Sequence, residues 1–298
     1  MDTFFDKLKN ITTAEENALM SEYTTFKTGG PARYLACPKN KEEIKEIIKL
    51  CKSEGIKPII LGKCSNVLVS DSGIDTLVII LSQGFDFVKS EGELLFADAG
   101  VSLTHLAQFA AENSLTGLEF ASGIPGSLGG AIFMNAGAYG GEMSHVVIKS
   151  FYLDENGEEH EVTDNEFGKR KSFYTGKDYL ITGAVLKLKK GSEKEIKEKM
   201  AMLAKSRREK QPLSYPSAGS IFKRPEGYFA GALIEGAGLK GCRIGGAEVS
   251  DLHAGFIINV GGATSKDVLD LIKHIQKTVF EKDGVMLEKE VRVIGMEE

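Results

Sequence analysis

The sequence predicts an α+β protein in two parts, and three observations carry that prediction. Strand and helix patterns interleave over roughly the first two-thirds of the chain. A densely charged stretch at 190–210 then interrupts them, and a glycine-punctuated series of short elements follows, closing on one strong helix. At roughly 100–200 residues per domain, a chain of 298 residues holds two or three domains.

In order, KEEIKEIIKLCKSE at 41–54 places Ile44, Ile47, Ile48 and Cys51 on one helical face. Pro58–Leu61 reads as a short buried strand that runs into a turn at Gly62, and Leu77–Leu81 as a second strand. The next helix covers 102–113, with Leu103, Leu106, Ala107 and Ala110 at the same spacing, and strands follow at 146–153 and 180–188. Residues 190–196 form a charged break, and 193–210 a charged helix ending before Pro212. The expected division is therefore 1–195, itself two α+β subdomains meeting near 85, and 196–298. In the second part, Phe256–Val260 reads as a strand. A helix over 265–281 follows, with Ser265 as N-cap and Val268, Leu271, Ile272, Ile275 and Val279 as its apolar stripe. Glu288–Ile294 is the last strand.

Bulk properties exclude several classes. The net charge is −5 and no basic stripe is present, which argues against nucleic acid. The one dense basic segment, Lys205–Lys210, is either a solvated helix end or a local anion site. No apolar run of ~18 residues predicts a membrane span, and residues 1–10 lack the apolar core of a signal peptide. Cys37, Cys51, Cys64 and Cys242 form no C-x-x-C pair, so free thiols in a reducing cytoplasm are expected. The five histidines make no metal-binding motif, and no metal is expected.

The most informative segment is FASGIPGSLGGAIFMNAGAYGG at 120–141. Seven of its positions are glycine and Pro125 stiffens them. Glycine lets backbone N–H groups approach a ligand closely, and the apolar run opening at Ala131 suggests a helix whose N-terminus attracts anions. A pair of tight turns is the plainer reading. Gly123-x-x-Gly126-x-x-Gly129 is not the dinucleotide fingerprint, and no P-loop is present. Three further segments look over-specified for packing. The first is Leu61–Leu68, a strand running into a small-residue turn; the second, Tyr215–Pro225, has Ser217 and Ser220 beside Gly219, followed by Lys223 and Arg224. The third, Arg243–Ala254, sets polar groups between two glycines and a strand. No G-x-S-x-G nucleophile elbow occurs.

Taken together and in order, these segments closely resemble the UDP-N-acetylenolpyruvoylglucosamine reductases, flavoenzymes of peptidoglycan precursor synthesis. The resemblance runs from about Thr24 to Gly295. It rests on T-F-K-T-G-G-P-A at 25–32, G-x-x-S-N at 62–66, the 120–141 loop, K-Q-P-L-x-Y-P-S-x-G-S at 210–220, R-I-G-G-A-E-V-S at 243–250 and L-E-K-E-V-R at 287–292. It implies an FAD-binding domain of the vanillyl-alcohol-oxidase type, followed by a smaller α+β substrate-binding domain, in the shorter subclass of the family. It also implies FAD as cofactor and NADPH as reductant, small-molecule substrates only and a cytoplasmic enzyme.

Carried over by motif, Arg170, Ser220 and Glu290 are the catalytic residues. The resemblance assigns FAD to Gly62, Lys63, Cys64, Ser65 and Asn66, to Gly123, Ile124, Pro125, Gly126, Ser127, Gly129 and Gly130, and to Asn135, Ala136, Gly137 and Ala138. Substrate contacts fall on Lys210, Lys223, Arg224, Lys240 and His253. Two positions depart from the family pattern: Cys64 stands where glycine is common, and Lys169 stands where a tyrosine usually precedes the arginine. By their chemistry alone, Arg170 reads as a surface charge and Glu290 as a strand-edge partner of Arg292. A flavoprotein oxidase on the same scaffold and a non-catalytic nucleotide-sugar-binding module are the competing readings.

Overall fold

The computed structural model describes residues 3–81 and 84–296, and the chain divides into two compact units. The first gathers Met1–Glu16, Tyr34–Lys63 and Thr76–Arg207; the second, Asn17–Arg33, Cys64–Asp75 and Arg208–Glu298. This differs from the linear division expected at 195/196. That boundary falls inside the helix Glu193–Lys210, and two early segments join the C-terminal residues. Hydrogen bonds between sequence-distant residues account for the difference. Val67–Val69 pairs in parallel with Arg292–Ile294, the Thr25 hydroxyl donates to the Ser217 carbonyl at 2.7 Å, and Asn259 Nδ2 donates to the Phe26 carbonyl at 3.1 Å.

The first unit is built on a five-stranded antiparallel sheet, in the order Glu159–Val162, Val147–Leu153, Leu180–Lys187, Leu94–Asp98, Val88–Glu91. The central strand Leu180–Lys187 is buried at every position but its last, as expected of a strand covered on both faces. Leu95, Leu153 and Leu186 pack with Leu103 and Leu106 of the helix Leu103–Glu112, whose N-cap Ser102 accepts from the His105 N–H. The helix Lys41–Ser53 starts at the Asn40 cap and buries Ile44, Ile47, Ile48 and Cys51, the face its spacing predicts. Ile59–Leu61 lies parallel to the Ile74–Ile80 strand, in register Ile59 with Val78.

In the second unit, Arg243–Ile244, Ala247–Val249 and Ile257–Asn259 form a three-stranded antiparallel sheet against the helix Ser265–Asp283. Its N-cap lies one residue before the expected one. Thr264 is the N-cap and forms a capping box with Asp267, whereas Ser265 is buried, with its hydroxyl donating to the Val69 carbonyl. Asp71 accepts the Ser265 and Lys266 N–H groups, at 2.8 and 2.9 Å, so a distant carboxylate satisfies the open helix end. Of the last expected strand, only Arg292–Ile294 is regular.

Candidate active site

The glycine-rich loop begins at a buried carboxylate. Glu119 is 3% exposed and accepts from the Thr116 hydroxyl, the Gly117 N–H and, at 3.5 Å, Lys199. Burial works to raise its pKa, but these donors outweigh it and hold the carboxyl below the usual range. The short helix that follows is Leu128–Met134, opening one turn earlier than the sequence suggests. Its first N–H groups are already taken: Leu128 donates to the Val101 carbonyl and Gly129 to that of Ala99, both at 2.8 Å, and Gly130 to its N-cap Ser127 at 3.4 Å. The expected anion site at this helix start is therefore filled by the protein's own acceptors.

Several of the loop's glycines also have internal reasons. A Cβ on Gly129 would lie 2.9 Å from that of Ala99, and one on Gly123 would lie 3.0 Å from Arg207 Cδ. Gly62 shows the closest approach of the set: a Cβ there would fall 2.0 Å from Ser127 Oγ. The fold thus brings the Gly62 turn onto the 120–141 loop, two segments assigned to FAD separately, and leaves Gly130 exposed between them and solvent. Arg207 lies across Gly123, half-buried, and meets no carboxylate among the described residues. Burial pushes its pKa below the ordinary guanidinium value. An exposed glycine backbone at Gly130 and an uncompensated, half-buried cation at Arg207 suit a diphosphate-bearing cofactor, so these residues fit FAD. In the basic segment Arg207 is half-buried, while its neighbours Arg208, Glu209 and Lys210 are exposed.

Asn135, assigned to FAD by the resemblance, is also engaged within the protein. It is 3% exposed and closes the helix in the left-handed region at φ 42°. Its Nδ2 donates to Glu142 Oε1 and to the Gly168 carbonyl, both at 3.1 Å, and its Oδ1 accepts from the Ser144 N–H at 2.9 Å. The carboxamide is fully occupied within the protein. Ala136, Gly137 and Ala138 continue into a small hairpin in which Gly137–Ala138 pairs with Gly141–Glu142.

Arg170 sits at the third position of a tight turn closed by Gly168 and Lys171, whose N–H groups donate to each other's carbonyls at 3.0 and 3.4 Å. Its φ is +56°. For a residue with a Cβ this conformation costs about 1–2 kcal/mol, and strain of that size collects where a side chain is needed in one place. Lys169, the departure from the family's tyrosine, is exposed at the neighbouring position.

The other two motif-assigned catalytic residues meet in the second unit. The Glu290 N–H donates to the Ile221 carbonyl at 2.7 Å, one residue beyond Ser220, and Asn66 Nδ2 donates to the Glu290 carbonyl at 3.2 Å. Ser220 itself bridges Phe256 and exposes its side chain, next to Gly219 at φ +76°. Residues 70 apart in sequence are thus held as neighbours by backbone pairing, with the S-N turn as a brace. The Thr25 N–H donates to the Cys64 carbonyl, which joins the T-F-K-T-G-G segment to the same turn. Cys64 is buried at φ +49°, the backbone conformation that makes glycine the usual residue there. Lys63 is exposed and Ser65 half-buried beside it.

Among the substrate-assigned residues, Lys223 pairs with Glu288 and Arg224 stacks over the Phe229 ring at 3.9 Å. Lys240 pairs with Glu235 at 2.7 Å, and both charges act on His253. The His253 Nδ1 accepts the Gly255 N–H at 3.1 Å, which leaves its proton on Nε2. Burial lowers its pKa, and Lys240 adds to that. The Arg243–Ser250 motif proves to be a hairpin turned at Gly245, braced by the Asp267 carboxylate on the Gly246 N–H. One trio of ligand-type residues, Asp154, Glu158 and His160, lies within 4.8 Å among the described residues. Asp154 Oδ1 already accepts two backbone N–H groups there, an ordinary loop cap.

Two family models match the chain: an FAD binding domain over residues 32–163, and the C-terminal domain of UDP-N-acetylenolpyruvoylglucosamine reductase over 211–294. The UDP-N-acetylenolpyruvoylglucosamine reductase of Clostridium perfringens is 50% identical over 278 residues, 93% of this chain and 91% of that one. This chain belongs to the UDP-N-acetylenolpyruvoylglucosamine reductase family. The enzyme of that name from Caldanaerobacter subterraneus is also 50% identical, covering 97% of both chains. The crystal structure of UDP-N-acetylenolpyruvylglucosamine reductase from Thermus caldophilus superposes with a TM-score of 0.81 at 37% identity, over 95% of this chain and 98% of that one. The fold is accordingly the FAD-binding domain with the C-terminal domain of this family, and the chain is an FAD-dependent oxidoreductase. No helix among the described residues is long and apolar enough to cross a membrane.

Proposed function

We propose that this chain reduces UDP-N-acetylglucosamine enolpyruvate to UDP-N-acetylmuramate with NADPH, as a cytoplasmic enzyme acting on small molecules. FAD supplies the relay that carries a hydride from NADPH to the terminal carbon of the enolpyruvyl double bond. The protein's own groups handle the charge that this transfer creates. Negative charge builds on the carbon bearing the carboxylate and spreads into its oxygens, and Arg170 stabilises it as a planar, two-pronged cation. Glu290 donates a hydrogen bond to the same oxygens when protonated. Ser220 then protonates the carbanionic centre from one face; a hydroxyl is acid enough against so strong a base. Lys210, Lys223, Arg224, Lys240 and His253 bind the nucleotide-sugar portion, and Gly62, Ser127 and Gly130 with Arg207 hold the cofactor's diphosphate.

The observation that carries the reading is the Ser220–Glu290 juxtaposition. The Glu290 N–H donates to the carbonyl of Ile221, the residue after the exposed Ser220, so backbone pairing brings the two distant motifs together. Ser220→Ala tests it. Flavin reduction by NADPH should proceed at near-normal rate, whereas reoxidation by the enolpyruvyl substrate should slow by about 10²–10⁴-fold, the scale of general acid catalysis. Stopped-flow absorbance separates the two steps. Equal slowing of both would make Ser220 structural.

A further inference from the structure

A strained arginine needs a reason to stay where it is, and the structure supplies one in a cluster outside the three motif-assigned catalytic residues. The turn that carries Arg170 opens at Gly168, and the Gly168 carbonyl accepts from Asn135 Nδ2 at 3.1 Å. The same Nδ2 reaches Glu142 Oε1, the Ser144 hydroxyl donates to that oxygen, and Asn135 Oδ1 takes the Ser144 N–H. On the far side of the turn the Ser172 hydroxyl donates to the Phe133 carbonyl at 2.9 Å. The turn is therefore pinned on both flanks to the end of the helix Leu128–Met134, more than thirty residues earlier in sequence. The Ser144 hydroxyl, and after it the Asn135 amide, hold the Glu142 carboxyl below the usual range, with smaller contributions from the His145 and then the Arg170 charge. A left-handed residue with a side chain persists only when its surroundings over-determine it, and this cluster does so with hydrogen bonds and a counter-charge.

We infer that Asn135 and Glu142 are positioning residues for Arg170: the Asn135 carboxamide fixes the turn at the Gly168 carbonyl, and the Glu142 carboxylate holds that carboxamide in place. The inference rests on the reading that Arg170 acts on the substrate carboxylate. It also gives the 120–141 loop a second task, since the element that lines the cofactor cradle is the one that holds the arginine.

The test uses the FAD-loaded full chain. Asn135→Gly removes the carboxamide yet keeps the left-handed helix end, where glycine is the residue best suited. Glu142→Gln removes only the charge. Flavin content should stay close to that of the parent and flavin reduction by NADPH should be unchanged, while the melting temperature should fall in Asn135→Gly, where three buried hydrogen bonds are lost. Reoxidation by the enolpyruvyl substrate should slow about 10- to 100-fold in Asn135→Gly and several-fold in Glu142→Gln. In an Arg170→Lys background the same two changes should add less than twofold, because they act through the arginine. Equal slowing with and without Arg170 would overturn the inference, as would lost flavin with an unchanged reoxidation rate per bound flavin. If Arg170→Lys alone left reoxidation within twofold of the parent, the underlying reading of Arg170 would fall, a result distinct from either of those.

Discussion

Gly62 and Ser127 lie 65 residues apart, yet a single oxygen decides whether position 62 can carry a side chain. In Gly62→Ala the new Cβ would stand 2.0 Å from Ser127 Oγ, well inside contact distance, while the Ser127 Cβ behind it is 3.2 Å away. The least costly response is rotation of Oγ, and that gives up the N-cap of the helix Leu128–Met134. Losing a serine cap costs about 1 kcal/mol. Ser127→Ala forfeits the same cap directly, so it should cost the same amount. The double variant should then cost little more than either single change, because the oxygen in conflict is gone and a 3.2 Å neighbour needs only a small adjustment. Chemical denaturation of the four proteins would show a coupling of about 1 kcal/mol. The cofactor offers a second readout. At 100 times its Kd, FAD stabilises a folded protein by about 2.7 kcal/mol, and Gly62→Ala should show a smaller FAD-dependent rise in melting temperature than the parent. Additive losses of about 2 kcal/mol in the double variant would show that the contact does not govern the site. An undiminished FAD shift would remove Gly62 from the cradle.

Two more predictions follow from the charges. Arg207→Met keeps the length of a side chain packed on Gly123 but removes its cation, so equilibrium dialysis should show FAD binding weakened by at least about tenfold, the scale of one lost charge-assisted contact; undiminished binding would assign Arg207 to packing alone. His253 is held neutral by burial and then by Lys240, with its midpoint below the ordinary 6.5. Its contribution to stability is intact above that pH and is lost as the pH falls toward the folded midpoint. Its ring-proton NMR titration should therefore lie to the acid side of 6.5, and His253→Gln should flatten the loss of stability in that window; a midpoint above 6.5 would contradict the burial argument.

The parts of this fold that could be read from sequence are those governed by near neighbours. One-sided stripes placed the helices over 41–54 and 265–281 because burial of a helical face is written at intervals of three and four residues. What spacing could not show was which distant group completes a local motif. Ser265 looks like a cap, but the buried Val69 carbonyl takes its hydroxyl and Thr264 caps instead. The segments 17–33 and 64–75 precede the supposed boundary by more than a hundred residues, and only their hydrogen bonds to Ser217, Asn259 and Arg292–Ile294 place them in the second unit. Glycines were the hardest to interpret: a position without a Cβ looks the same in sequence whether a ligand, an alanine or an arginine occupies the space. Gly129 makes room for Ala99 and Gly123 for Arg207, and neither neighbour could be foreseen from the loop.

Backbone conformation also separates the two departures from the family pattern. Cys64 adopts φ +49° with its thiol buried, where glycine would adopt the same conformation without strain. Thr25 and Glu290 are tied to backbone groups and to the Asn66 amide, all of which glycine at 64 would leave in place. Arg170 adopts φ +56° as well, but glycine there would delete the guanidinium that the family's motif carries at this point. The protein tolerates left-handed strain at both positions and reinforces it at the second with Asn135 and Glu142. Lys169, beside it, is exposed. Glycine would therefore serve at 64 but not at 170, where the turn that carries the guanidinium is braced on one flank at Gly168 and on the other at Ser172.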